Sequence, residues 1–154
     1  MNVRLYQAGD SAVLALLFTE TVRAINAADY SFEQVEAWAG NPPDVERWRG
    51  RLSGRIVFVA EHDSELVGFT TFEPNGHLDH LYVHPRFQRQ GIASAMLRRI
   101  EGEAISHGIS RIFTEASITA RPFFEYVGFR LITPQAVAVS GMSFLNYRME
   151  KFLS

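Results

Sequence analysis

The sequence predicts an α/β (α+β) fold: a mixed central sheet of about seven strands with an antiparallel N-terminal half, flanked by about four helices. Three observations lead there. Apolar periodicity alternates between strand-like and helix-like in the order β, α, α, β, β, β, α, β, α, β, β. The three strands between Arg55 and Val83 are separated only by short turn segments, which makes them antiparallel neighbours. The last of them then runs through a Gln/Arg/Gly loop straight into an amphipathic helix.

Each element has a local cause. Val3 and Leu5 alternate with polar residues and open the chain as a strand. Asp10 is placed to cap a long helix whose apolar stripe is Leu14, Phe18, Val22 and Ile25. Ser31 and Gln34 fit a capping box that starts a second helix running through Trp38. Gly40-Asn41-Pro42-Pro43 breaks that helix, and residues 44–52 read as a further short helical piece. Residues 55–60 and 66–72 are strands joined by the turn residues His62-Asp63-Ser64, and Pro74-Asn75-Gly76 turns the chain into the strand ending at Val83. After Gly91 a helix carries Ile92, Met96, Ile100 and Ala104 on one stripe and stops near Gly108. Residues 111–116 form a strand. Residues 118–127 are expected as a helix, with Pro122 in its first turn and Gly128 as its C-cap. Strands over 129–139 and 144–152 close the chain, with Ser140-Gly141 between them.

A chain of 154 residues, 47% hydrophobic and 21% charged, fits one globular domain spanning 1–154. Its formal net charge of −2 argues against a nucleic-acid partner, which leaves a basic footprint. Cysteine is absent, which excludes disulfides and thiol nucleophiles. No signal-peptide pattern opens the chain, and no apolar run is expected to reach the ~20 residues of a spanning helix, so a cytoplasmic protein without a membrane partner is the expectation.

Leu81-Tyr82-Val83-His84-Pro85-Arg86-Phe87-Gln88-Arg89-Gln90-Gly91-Ile92-Ala93-Ser94 carries the most chemistry. A strand that leads through a tight loop into a helix leaves unpaired N–H groups at the helix N-terminus, with the positive end of the dipole behind them. Gly91 lets the backbone come close to a pyrophosphate, and Ala93 keeps the helix near the strand. There is no Gly-Lys-Ser/Thr and no G-x-G-x-x-G, so ATP and NAD are not the expected ligands.

Gln88-Arg89-Gln90-Gly91-Ile92-Ala93 resembles the Q/R-x-x-G-x-G/A motif of the GNAT N-acetyltransferase superfamily. Residues 117–129 resemble that family's later signature, N-x-x-A-x-x-F-Y-E-x-x-G-F. The whole chain is similar to the uncharacterised YafP-like branch, through Tyr30-Ser31, Ala37-Trp38-Ala39, Ala116-Ser117-Ile118-Thr119-Ala120 and Phe144-Leu145-Asn146-Tyr147. The resemblance implies an acetyl-CoA-dependent N-acetyltransferase whose coenzyme contacts are Leu81, Tyr82, Val83, the segment from Gln88 to Ser94, Ser117 and Phe124. Two positions depart from the pattern. Ser117 stands where the family has asparagine, and Phe124 stands where a tyrosine often protonates the departing thiolate. Phenylalanine cannot donate a proton. A catalytically quiet acyl-CoA-binding or regulatory module is therefore the alternative.

Direct attack by a primary amine on a thioester needs an oxyanion donor, a base and orientation of both substrates. The resemblance assigns the oxyanion donor to the backbone N–H of Val83. Strand alternation puts His77, Asp79, Leu81 and Val83 on one face, so His77 is a candidate base, with Asp79 the next carboxylate toward the thioester and Glu73 further out. The same alternation turns His80 away from His77, and no metal site is expected among His77, Asp79, His80 and His84. Tyr30, Phe32, Trp38, Trp48, Phe144 and Tyr147 suggest a small, partly apolar pocket for a small-molecule or protein amine. A homodimer is an open expectation.

Overall fold

The computed structural model describes residues 1–40 and 43–154; Asn41 and Pro42 of the expected helix breaker lie outside the described residues. Strands β1 (Asn2–Leu5), β2 (Ile56–His62), β3 (Glu65–Phe72) and β4 (Leu78–Val83) form one sheet in that order. Strands β5 (Arg111–Ser117), β6 (Arg130–Val139) and β7 (Met142–Phe152) form a second, ordered β5-β7-β6. Every ladder within the two sheets is antiparallel. The helices are α1 (Ser11–Ala24), α2 (Phe32–Ala39), α3 (Val45–Leu52), α4 (Ile92–Ser106) and α5 (Arg121–Tyr126).

The mixed character of the assembly resides in one seam. Among the described residues the sheets meet at a parallel bridge between His77 and Phe113. There the Phe113 N–H donates to the Gly76 carbonyl at 3.0 Å and the Thr114 hydroxyl donates to the Leu78 carbonyl at 2.8 Å. Among the described residues no β4–β5 ladder continues past this seam, which leaves a wedge toward the C-terminal ends of both strands. Gly76 makes the close approach: its φ is +98°, and a Cβ there would stand 2.4 Å from the Arg111 carbonyl oxygen.

Two layers of helix cover the sheets. Leu14, Leu17, Phe18 and Val22 of α1 pack with Trp48 and Leu52 of α3 against Val57, Val59 and Phe69. On the opposite face Leu97, Ile100 and Ala104 of α4 pack against Phe58, Phe72, Leu78, Ile112 and Met149. With its flanking 3-10 turns, α1 belongs to a 21-residue helical stretch, Ala8–Ala28, long and apolar enough by length and composition to cross a membrane. This overturns the expectation that no run reaches that length; half of the apolar window is buried inside the protein.

Local chemistry explains the agreements and three differences. Asp63 (φ 50°) and Ser64 (φ 64°) form a two-residue hairpin loop with both residues left-handed, as do Ser140 (φ 49°) and Gly141 (φ 78°). The Ser31–Gln34 capping box is present, with bonds of 3.1 and 2.9 Å. Asp10 does not cap α1: its carboxylate receives the Gln7 N–H at 2.8 Å and the Arg4 guanidinium at 3.0 and 3.1 Å. The helix expected over 118–127 shortens to α5, because the Ser117 hydroxyl accepts the Ala120 N–H at 3.0 Å and holds the preceding residues in a turn. Alternation also fails in β4. Thr71 pairs with His80 but Phe72 pairs with Leu78, so Asp79 is an extra, bulged residue. Leu78 consequently joins the α4 side of the core, while His80 and Tyr82 pack on the aromatic cluster of the α1–α3 side.

Candidate active site

The wedge between β4 and β5 continues into a cleft of about 750 Å³ at the N-terminus of α4. Gly91 caps that helix with φ +79°, and the first intrahelical bond runs from the Ala95 N–H to the Gly91 carbonyl at 3.0 Å. The N–H groups of Ile92, Ala93 and Ser94 therefore have no helical acceptor and face outward at the positive end of the helix dipole. A Cβ on Gly91 would meet nothing within 4 Å, so the space over the loop is open. Arg89 (φ 60°) places an exposed guanidinium beside it. All the expected coenzyme residues line this cleft except Gln90, which is exposed outside it. Gln88 serves the structure, since its amide donates to the Val83 carbonyl at 2.6 Å and ties the loop to the strand. Ile92 turns its side chain into the core beside Met96 and contributes backbone only.

Val83 ends β4 at the mouth of the wedge. The His84 N–H donates to the Val67 carbonyl at 2.8 Å, so by two-residue alternation the Val83 N–H points to the opposite edge of β4, into the wedge. Its carbonyl is already held by Gln88 and, at 3.4 Å, by the Thr21 hydroxyl. A free N–H on an open strand edge suits both an extended amide chain and a developing oxyanion.

A second cleft, of about 760 Å³, lies on the α2–α3 side and is bounded by β6 and β7. Trp38, Asp79, Tyr82, Glu115 and Ser117 line both clefts, so this group forms the junction between them. The bulge in β4 delivers Asp79 to that junction. Its carboxylate bonds Arg55 at 2.6 Å. Burial alone would raise Asp79, but the adjacent His80 ring and the Arg55 guanidinium outweigh burial and hold it below the usual carboxylate range.

His77 stands between two carboxylates. Nδ1 lies 2.7 Å from Glu73 and Nε2 lies 2.8 Å from Glu115, with the ring stacked on Phe113 at 5.0 Å. The hydrogen bond to Glu115 is the largest cause of a raised pKa; burial opposes it, Glu73 adds to it, and the result is about 9. At neutral pH both nitrogens thus donate, leaving no lone pair for an incoming ammonium, and the geometry does not fit the expected role of His77 as base. His80 is the opposite case. Burial, opposed by Asp79, lowers it to about 4, and its Nδ1 bonds the Thr71 hydroxyl at 2.8 Å. One ligand atom from each of His77, Asp79 and Glu115 lies within 4.8 Å of the other two, so Glu115 of β5 joins the pair that alternation had put on one face, where no metal site was expected.

Phe124 lines the first cleft but is 4% exposed and packs edge-on to Phe129 at 5.0 Å. No hydroxyl stands at that position. Burial raises the Tyr82 phenol above its ordinary value, so Tyr82 holds its proton at the junction. Glu115 was missed in the sequence; its signal is an acidic residue between Phe113 and Ser117 on the outward face of β5. Arg51, Arg148 and Asn146 also line the second cleft, and nothing in the local sequence marked them for it.

An open strand edge, a phosphate-ready helix N-terminus and a second cleft meeting the first at two carboxylates are the features of a candidate acyl-transfer site. A family model described as "Acetyltransferase (GNAT) domain" matches residues 26–151, and the chain belongs to that family of N-acetyltransferases. Among its relatives is the uncharacterised N-acetyltransferase YafP of Escherichia coli K12, 36% identical over 150 residues, covering 97% of this chain and 94% of that one. A GCN5-related N-acetyltransferase from Rhodopseudomonas palustris superposes with a TM-score of 0.95 at 32% identity, over 99% of this chain and 95% of the other. The fold is shared more distantly with PaiA N-acetyltransferase from Thermoplasma acidophilum, solved in complex with coenzyme A, at a TM-score of 0.77 and 20% identity over 99% of both chains.

Proposed function

We propose that this enzyme transfers an acetyl group from acetyl-CoA to a primary amine by direct attack in a ternary complex. The Val83 N–H, turned into a wedge between sheets beside a helix N-terminus with free N–H groups, is the observation that carries the assignment. The residues fit the coenzyme: nothing stands within 4 Å of a Cβ at Gly91, and the loop holds no carboxylate to repel a pyrophosphate. Backbone N–H groups of residues 92–94 and the Arg89 guanidinium would hold the phosphates. When bound, acetyl-CoA supplies the activated acyl carbon. The Val83 N–H stabilises the charge that develops on its oxygen.

The acceptor enters from the second cleft. Asp79 and Glu115 receive it as an ammonium, and Asp79, directly or through one water, takes the proton that must leave before the C–N bond forms and the C–S bond breaks. His77 acts through others: it holds Glu115 and Glu73 in place. With Phe124 at the acid position, the thiolate takes its proton from solvent. A thiol of ordinary pKa about 8.5 leaves without an acid, at the loss of about 10²- to 10⁴-fold in rate.

Phe124 also favours a second reading, an acyl-CoA-binding module without chemistry. Thiol release from acetyl-CoA over a panel of amines separates the two. Turnover with any acceptor excludes the quiet module, and coenzyme binding without turnover across the panel excludes the enzyme.

A further inference from the structure

Both signs of charge line the second cleft. Its inner end carries Asp79 and Glu115, each already paired, with Arg55 and His77 respectively. Arg47 and Arg51 of α3 and Arg148 of β7 also line the cleft, with Arg148 in register opposite Glu115 and Arg51 near enough to Asp79 to feel its charge. None of these three arginines forms an ion pair among the described residues, whereas Arg4, Arg23, Arg55, Arg111 and Arg130 each pair with a carboxylate. Arg51 is half-buried, with its guanidinium over the Trp48 ring at 4.7 Å. Asp44 shares the cleft, but its carboxylate caps α3 through the Arg47 N–H at 3.0 Å. A desolvated guanidinium without an anion is unfavourable in a folded protein.

A second observation lies beside Ser117 at the junction. Asn146 of β7, in register with Ser117 of β5, lines the same cleft, and its Oδ1 is buried without a hydrogen-bond partner. A buried carbonyl oxygen of this kind calls for an N–H donor. The cleft therefore offers acceptor oxygens and unpaired guanidinium groups near one another, and Tyr30, Trp38 and Phe144 line it as well.

We propose that the acceptor is an amino acid: its amine is received by Asp79, Glu115 and the Asn146 oxygen, and its carboxylate is bound by Arg51 with Arg47 or Arg148. A planar guanidinium fixed on an aromatic face suits a carboxylate bidentately. This assignment rests on the acetyl-transfer function and narrows it to amines that carry an anionic group.

Matched pairs test it: phenylalanine against phenylalaninamide, and glycine against glycinamide, with phosphoethanolamine against ethanolamine as the phosphate arm. Thiol release should favour the acids over the amides by about 10- to 100-fold in kcat/KM, the range of a hydrogen bond to a charged group. In Arg51→Gln the ratio should fall toward one, and either Arg47→Gln or Arg148→Gln should reduce it independently. Equal or better turnover of the amides overturns the proposal, as does a preference confined to phosphoethanolamine. If no pair turns over, the unfolding midpoint of the CoA-saturated protein decides: phenylalanine should raise it and phenylalaninamide should not, and no rise with either overturns the proposal. CoA's own effect on that midpoint reports separately on the coenzyme site.

Discussion

Replacing His77 by glutamine removes a cation held between two carboxylates, and the structure says when that matters. The imidazole moves from an ordinary 6.5 to about 9 in the folded protein. At about 1.4 kcal/mol per pKa unit this sets a ceiling of about 3.5 kcal/mol on its contribution to folding. Solvent reaches all three groups, whose side chains are 18%, 30% and 34% exposed, so screening reduces the contribution to about 1–2 kcal/mol. The sign follows from a folded pKa above the unfolded one. The stabilisation is complete below pH 6.5, declines as pH rises, and is gone above about pH 9. Thermal unfolding of the parent protein and of His77→Gln at pH 6 and pH 10 measures it. At pH 6 the variant should melt about 2–8 °C lower, and at pH 10 the His77-specific part of the difference should vanish. A difference that does not change between the two pH values, or an NMR titration placing His77 near 6.5, would refute the ion-pair assignment.

Three further outcomes are expected. Gly91→Val puts a side chain into the open space over the loop and should abolish the midpoint rise given by CoA, while the strained φ of +79° costs only about 1–3 kcal/mol of folding stability. Asp79→Asn should lower kcat by about 10²- to 10⁴-fold in the thiol-release assay, the range for loss of a general base, and an unchanged kcat would remove Asp79 from the mechanism. Gly76→Ala forces a Cβ to within 2.4 Å of the Arg111 carbonyl at the seam, so its unfolding midpoint should drop by at least 4 °C, corresponding to about 2 kcal/mol or more.

Features encoded within a few residues were legible in the sequence. The loop from Gln88 to Ser94, the Ser31 capping box, and the turns at 63–64 and 140–141 all depend on neighbours in the chain, and the structure places each where its residue types require. What depended on distant partners was not legible. His77 looks like a base until Glu115, 38 residues away, is brought to 2.8 Å. Asp79 obeys alternation until a bulge, visible only in the pairing of β4 with β3, shifts it into the junction. Asp10 has the composition of a helix cap, but Arg4 competes for its carboxylate across the β1 turn. The apolarity of α1 reads as a core stripe at 3.6 spacing, and only the full helical stretch of Ala8–Ala28 shows how long that apolar run is.

The most direct test of the central claim is the unfolding midpoint with acetyl-CoA, CoA or ATP added at about a hundred times the coenzyme's dissociation constant. Both CoA species should stabilise the protein by about 2.7 kcal/mol, a rise of about 5–11 °C, and ATP should not. No rise with either CoA species, or an equal rise with ATP, would mean that the wedge between β4 and β5 is not a coenzyme A site.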